Sequence, residues 1–229
     1  NFDKFRVDGP SELPRVRTDI RRYLTSSDVV LENFQYTHTK RVNRDVYAMG
    51  YGGMLESMFG GVGGEVLYRP SGENWAVGVD ANWVRQRGFR QDFSFRDYST
   101  LTGHFTTYLQ TNFYNVLVKA SAGRYLAGDI GGTMDLSRRF NNGITVGAYA
   151  TQTNVSSEEF GEGSFDKGIY FTFPFDAFFA RSSQSQGTLG WNPLTRDGGA
   201  KLSRFYSLYD MTEASNTDRL NDGFNALRD

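Results

Sequence analysis

The sequence contains no cysteine and only two histidines, His38 and His104. Disulfide frameworks, thiol nucleophiles and Cys-ligated zinc are therefore excluded, and the redox compartment is left open. A dominant charge is also missing. Lys plus Arg total 25 against 26 Asp plus Glu, a net charge of -1, so no long-range field favours nucleic acid or an anionic surface. Long apolar runs are absent as well: the longest are four residues, such as AFFA at 177–180, against the ~20 that a membrane-spanning helix needs. Helical membrane spans are excluded; strands that cross a membrane are not. The first residue is Asn1, with no basic and apolar leader behind it, so an export signal is expected to have been removed or to lie upstream.

Glycine and aromatic residues are abundant instead: 26 Gly, 19 Phe, 13 Tyr and 3 Trp in 229 residues. Glycine above the ~7% of ordinary proteins, together with many rings, points to an all-β chain. The best helical stretch is LPRVRTDIRRYL at 13–24, with Pro14 in the first turn and Val16, Ile20 and Leu24 on one face. Arg15, Arg17, Arg21 and Arg22 gather around the other side. A short basic amphipathic helix is expected there, packed on a β domain or lying on a membrane surface.

From residue 28 the period is two. In 75–86, Trp75, Val77, Val79, Ala81 and Trp83 share one face, and Ala76, Gly78, Asp80, Asn82 and Gln86 the other. Leu101, Phe105 and Leu109 alternate with Thr102, His104, Thr106 and Gln110. Val116, Val118, Ala120 and Ala122 alternate with Lys119, Ser121 and Gly123, and Met134, Leu136 and Phe140 with Thr133, Asp135, Ser137 and Arg139. Asn141-Asn142-Gly143 then reads as a hairpin turn, after which Ile144, Val146, Ala148 and Ala150 resume the apolar face. Further strands are expected at 29–38, 46–58, 62–69, 167–173 and 201–209, for roughly nine to twelve in all. Short turns at 70–74, 111–114 and 141–143 contrast with long loops at 87–100, 155–166 and 176–199.

Alternation fits both a soluble sandwich and an outer-membrane barrel. The composition of the polar face separates them. It is rich in Gly, Ser, Thr and Asn with isolated charges, as a crowded or water-filled lumen requires, whereas sandwich strands present Lys, Glu and Arg to solvent. Aromatics near strand ends (Trp75, Trp83, Tyr125, Phe140, Tyr170, Phe173) and aliphatic midpoints (Val79, Ala120, Met134, Val146) match the girdles and apolar band of a barrel. The expected fold is all-β: an antiparallel outer-membrane β-barrel, or part of one, with a short N-terminal helix. Residues 1–27 form the N-terminal segment, 28–209 the barrel region and 210–229 a polar tail.

Several stretches carry a family resemblance: MGYGGMLESMFGGVGGEVLYRP, WAVGVDANWVRQRGF, DYSTLTGH, VKASAGRYLAGDIGGTMDLSRRFNNGITVGAYATQTN, EEFGEGSFDKGIYFTFPF and WNPLTRDGGAKL. Together these resemble the YjbH-like family of exopolysaccharide and capsule outer-membrane proteins over about residues 13–208. The resemblance implies an outer-membrane β-barrel linked to secretion of an extracellular polysaccharide in a Gram-negative cell. It also implies that these residues are the C-terminal portion of a larger protein, whose upstream strands and lipid anchor lie outside this chain. One departure is the polar stretch after Tyr209, where bacterial barrels commonly finish on a strand with a terminal aromatic.

Motifs for chemistry are few. The loop EEFGEGSFDKG offers Glu158, Glu159, Glu162 and Asp166 as oxygen ligands for Ca²⁺, but its spacing matches no EF-hand and a solvated loop is the simpler reading. Asp129 and Asp135 are a carboxylate pair for glycoside hydrolysis only if they come within about 5 to 9.5 Å. The glycine clusters at 50–64 and 128–132 lack the Lys-Ser/Thr ending of a phosphate loop. No catalytic residue, metal or cofactor is expected.

Transport fits better. A sugar polymer calls for aromatic faces, short polar side chains and modest positive charge, all binding weakly enough to release it. The polar-face candidates for contact are Asp80, Asn82, His104, Lys119, Asp135, Arg139 and Tyr149. The expected partners are outer-membrane lipid, an extracellular polysaccharide, periplasmic proteins of the same secretion system and the missing upstream part of the protein, with no nucleic acid. A soluble sandwich that binds or cleaves polysaccharide, and a plugged barrel with a structural or assembly role, are the alternatives.

Overall fold

The computed structural model describes residues 13–140, 142–155, 165–174, 186–191 and 197–213. Ten described strands form one antiparallel sheet in sequence order: β1 (Phe34–Arg41), β2 (Val46–Met54), β3 (Phe59–Tyr68), β4 (Trp75–Arg87), β5 (Phe95–Gln110), β6 (Val116–Arg124), β7 (Ile130–Arg139), β8 (Thr145–Thr153), β9 (Asp166–Pro174) and β10 (Gln186–Trp191). Among the described residues the two stacked sheets of a sandwich are not formed, and β1 and β10 do not pair, so the sheet is open: of the expected barrel, or part of one, an antiparallel sheet is seen and closure is not. Two short helices, α1 (Ile20–Thr25) and α2 (Leu208–Glu213), complete the described elements.

Strand register carries the two-residue period into two continuous surfaces. One row crosses seven strands through directly opposed Trp75, Leu109, Val118, Leu136, Ala148, Ile169 and Trp191. The row on the other face runs through Gly78, Thr106, Ser121, Thr133, Thr151 and Asp166. A sheet in water buries its apolar face against a core. Here the order is reversed: Val79, Met134 and Leu101 are 53%, 50% and 61% exposed, whereas Thr102 and Thr151 are 2% exposed.

The polar face is covered by chain from both ends. Residues 13–19 and 197–213 lie against it, and Val16, Tyr23, Ala200, Leu202, Leu208 and Tyr209 join Met49, Tyr51, Leu67, Ala76 and Tyr108 in the buried cluster. The apolar core therefore occupies the inner side of β2–β5, and polar groups fill the inner side of β4–β9.

The helix expected over 13–24 is confined to α1. A stronger interaction takes residues 16–18: the Asp197 carboxylate accepts the N–H groups of Val16, Arg17 and Thr18 at 2.7 to 3.0 Å, and the Thr18 hydroxyl at 2.8 Å. Three successive amides turned toward one anion form a nest, which a helix cannot offer at that point. Neither does this segment present a greasy face outward, since Val16 and Tyr23 point into the core.

Four other expectations change. Residues 201–209 are no strand; they form an extended strap across the sheet, running into α2. β10 arises within the region read as a long loop at 176–199. The loop expected over 87–100 shrinks to 88–94, because β5 begins at Phe95. Of the six aromatics expected at an outer girdle, Tyr125 and Tyr170 instead face inward, where the hydroxyls bond Thr133 and Asp135.

Candidate functional site

Six of the seven polar-face candidates line one cavity of about 570 Å³ between the sheet and the strap: Asp80, Asn82, His104, Lys119, Asp135 and Tyr149. Arg139 is separated from them and lines a different cleft at the rim. The register explains the grouping. Glu65, Asp80 and His104 lie directly opposite one another on β3, β4 and β5, while Tyr108, Lys119, Asp135 and Tyr149 form one row on β5 to β8.

Placing Glu65 opposite Asp80 sets two carboxylates side by side, a repulsive arrangement when both are charged. The strap resolves it. Arg204 donates to Glu65 at 2.7 Å and stands 3.9 Å from Asp80, and the Leu208 N–H adds a second donor to Glu65 at 3.2 Å. Burial alone would weaken the Arg204 charge, but Glu65 and Asp80 outweigh it and raise its proton affinity above the usual guanidinium value. Asp80 also accepts from Asn82 at 2.8 Å, while Asn82 in turn accepts the Tyr51 hydroxyl. His104 Nδ1 is 3.9 Å from Asp80, and its Nε2 is buried without a hydrogen-bond partner among the described residues.

A second cation, Lys201, enters from the strap and donates to the Ser121 hydroxyl. Burial pushes this ammonium down to about 8, with Asp80 and Asp135 acting in the opposite direction. Its ordinary value is 10.5, so between about 8 and 10.5 the unfolded chain holds the proton and the folded chain does not. Stability is therefore expected to rise with pH across that window, and Lys201→Met removes the rise. Urea midpoints at pH 7 to 10 for both proteins check this.

On the far side of the cavity the Tyr170 hydroxyl donates to both Asp135 oxygens at 2.9 and 3.2 Å. It crosses β8 to do so, over Gly147, its direct partner in the register. A Cβ on Gly147 would overlap the Tyr170 ring, so only glycine allows this reach. Gly147→Val is expected to cost about 1 to 3 kcal/mol by overpacking. It should exceed the loss in Tyr170→Phe, which removes the hydrogen bond alone; unfolding midpoints of the two variants decide.

The paired carboxylates considered for hydrolysis do not meet. Asp129 precedes β7 and accepts the Gly199 N–H at 2.7 Å, while Asp135 sits six residues along the strand, roughly 20 Å away at ~3.3 Å per residue. His38 faces away from His104, on the opposite side of the sheet. Of the acidic loop, Glu158, Glu159 and Glu162 lie outside the described residues, and Asp166 begins β9.

The same sequence is matched over residues 1–214 by a model of the YjbH family, described as "Exopolysaccharide biosynthesis protein YbjH". The chain belongs to the YjbH family. It is 51% identical over 219 residues to the uncharacterized lipoprotein YjbH of Escherichia coli (strain K12), an alignment that covers 93% of this chain and 31% of that relative. This member thus spans about a third of the length of the curated relative it matches. No solved structure matches it.

Within this YjbH-family chain, the cavity residues that sequence reading missed come mainly from the strap. Lys201 and Arg204 had been assigned to a strand, and nothing in the pattern of 201–209 signals that it crosses a sheet. Glu65 was legible in principle: it is the one carboxylate in GGVGGEVLY, at the same parity as Leu67.

Proposed function

We propose that this chain is part of an outer-membrane β-barrel protein that helps to pass an extracellular polysaccharide, exopolysaccharide or capsule, across the outer membrane of a Gram-negative cell, without catalysing a reaction on it. The observation that carries the reading is the reversal of faces: apolar residues are exposed along seven strands and polar residues are covered. Against lipid the exposed face becomes the buried one, as in barrels whose polar interior faces a lumen. The exposed aromatics Trp75, Phe140, Trp83 and Trp191 stand toward the strand ends, with Val79, Phe105 and Met134 between them.

The open edges at β1 and β10 are consistent with a barrel closed by strands outside the described residues, since unpaired backbone groups are not tolerated in hydrocarbon. The share of its relative that the chain spans leaves ample sequence to supply them. The name of that relative, a lipoprotein, supports a membrane location. The family description supports the link to exopolysaccharide, with periplasmic proteins of the same system and the rest of the protein as partners. Hydroxyls, amides, Tyr149 and the cations Lys119 and Lys201 in the cavity suit weak contact with a sugar polymer.

A second reading, a plugged barrel that serves assembly, is favoured by one observation: the strap fills the polar face and is held there by the ion pairs of Arg204 with Glu65 and Asp80. Bilayer conductance of the complete natural chain separates the two. An open current reduced by added polymer supports transport, and a silent membrane under all conditions supports the plug. A protein that remains monomeric in buffer without detergent overturns both.

A further inference from the structure

The cleft that holds Arg139 lies at the end of the sheet where residues 111–115, 140 and 142–144 flank β6 and β7. Its volume is about 600 Å³, and Asn112, Tyr114, Asn115, Arg138, Phe140 and Asn142 form the rest of its wall. Among the described residues no acidic one lines it. Arg138 stands between two rings, with its guanidinium carbon 5.1 Å from the Tyr114 centroid and 4.8 Å from that of Phe140. Among the described residues the Arg138 side chain makes no ion pair and no hydrogen bond, so the rings hold its guanidinium while its N–H donors stay free. Tyr114 and Asn115 both have left-handed backbone, φ 51° and 52°, a region that bulky side chains rarely occupy.

Parity places this arginine on the apolar side of the sheet. Arg138 follows Met134 and Leu136 at two-residue steps, and Phe140 follows Arg138. At ~3.3 Å per residue, the arginine lies roughly 7 Å past the row of Leu136, and Phe140 another 7 Å on. On the membrane reading, Phe140 at the strand end belongs to the aromatic belt, which sits where hydrocarbon gives way to headgroups, and Arg138 stands beside it. A guanidinium held by two rings, with free donors in its plane and amide side chains nearby, matches the geometry of a phosphate, which arginine binds through two parallel N–H donors.

We propose that this cleft binds the phosphate of a phospholipid headgroup, with Arg138 as its main ligand and Tyr114 and Phe140 positioning it. The inference rests on the membrane reading above. A carboxylated sugar is the competing occupant, but it would enter along the polar face, and Arg138 projects from the other.

The test uses the complete natural chain in detergent and short-chain, water-soluble phosphatidylglycerol as the probe, with binding read by calorimetry. Dihexanoylglycerol, which lacks the phosphate, inorganic phosphate and galacturonate are the comparison ligands. Arg138→Gln should weaken phosphatidylglycerol binding about tenfold, Arg138→Lys and Tyr114→Gly several-fold, and Arg85→Gln, on the same face at the opposite end, not at all. Inorganic phosphate should compete at millimolar concentration, and dihexanoylglycerol should not bind. Unchanged affinity in Arg138→Gln, with the variant still folded by its circular dichroism spectrum, overturns the inference. So does displacement by galacturonate in preference to phosphate. Failure of the protein to enter vesicles would instead count against the membrane reading, because the short-chain probe needs no bilayer.

Discussion

Arg204→Leu is expected to destabilise the protein by about 3 to 5 kcal/mol, the usual cost of removing one partner from a buried ion pair. The strand register makes the cost unavoidable: Glu65 and Asp80 are directly opposed, and at 2% and 10% side-chain exposure they have little access to water. Without the guanidinium, either a carboxyl must take up a proton or the strap must move. Leu208 and Tyr209 leave with it, because the Leu208 N–H is bound to Glu65 and the Tyr209 ring is stacked on Tyr108 at 4.1 Å and 5°. The double variant Arg204→Leu with Glu65→Gln should recover more than half of the loss, since it removes one of the stranded charges. Urea unfolding of the two variants measures this, and recovery of less than a quarter would show that the charge is not the reason. In a bilayer the same substitution should raise conductance above wild type if the strap closes a lumen.

Arg87→Met is expected to cost at least about 4 kcal/mol. The side chain is fully buried at the end of β4 and has no carboxylate in hydrogen-bond contact. Its guanidinium donates instead to five backbone carbonyls, those of Leu31, Glu32, Glu56, Gln91 and Asp92, at 2.6 to 3.3 Å. These belong to the chain before β1, the β2–β3 turn and the β4–β5 loop, so one cation ties three irregular segments whose carbonyls have few other donors. A buried acceptor left without a partner costs about 1 to 3 kcal/mol. Losses from five are not additive because water can enter, which is why the expected total is lower than their sum. The Arg87 carbonyl accepts the Tyr23 hydroxyl at 2.6 Å, and Gln91 donates to the Tyr23 carbonyl at 2.9 Å, so α1 should loosen as well. Faster hydrogen exchange in 20–25 and 88–94, with β6–β8 unchanged, is the expected pattern. A uniform change across the sheet would contradict the local role.

Much of the sheet was legible because a half-buried strand writes its register into a period of two. The expected 75–86 became Trp75–Arg87, and six candidates chosen by parity alone share one cavity. What parity could not give was the partner of the polar face. The strap carries no periodic signal, since its residues are fixed one at a time by long-range bonds: Asp197 to the amides of 16–18, Gly199 to Asp129, Arg17 to the Lys201 carbonyl. The same reason explains the lost helix at 13–24, whose pattern was sound but whose first amides found a carboxylate 180 residues away. Arg139 fell outside the cavity for a simpler reason: it has the right parity but stands at the end of β7, too far along the strand. Tyr125 faces inward because it shares the parity of Lys119, Ser121 and Gly123; nearness to a strand end, the basis for placing it in a girdle, says nothing about which face a ring takes.

The absence of cysteine makes the central claim open to direct measurement. Single cysteines placed at 79, 105, 134 and 136 on the apolar face, and at 106, 121, 133 and 151 on the polar face, carry a spin label in the complete natural chain reconstituted in vesicles. The account predicts that labels on the first set are accessible to dissolved oxygen and shielded from a water-soluble nickel chelate, as lipid contact requires. Labels on the second set should be shielded from oxygen, because the polar face does not meet lipid, and should gain access to the chelate when Arg204 is replaced. Chelate access at 79, 105, 134 and 136, equal to that of an exposed turn, would show that this face meets water and would contradict the account.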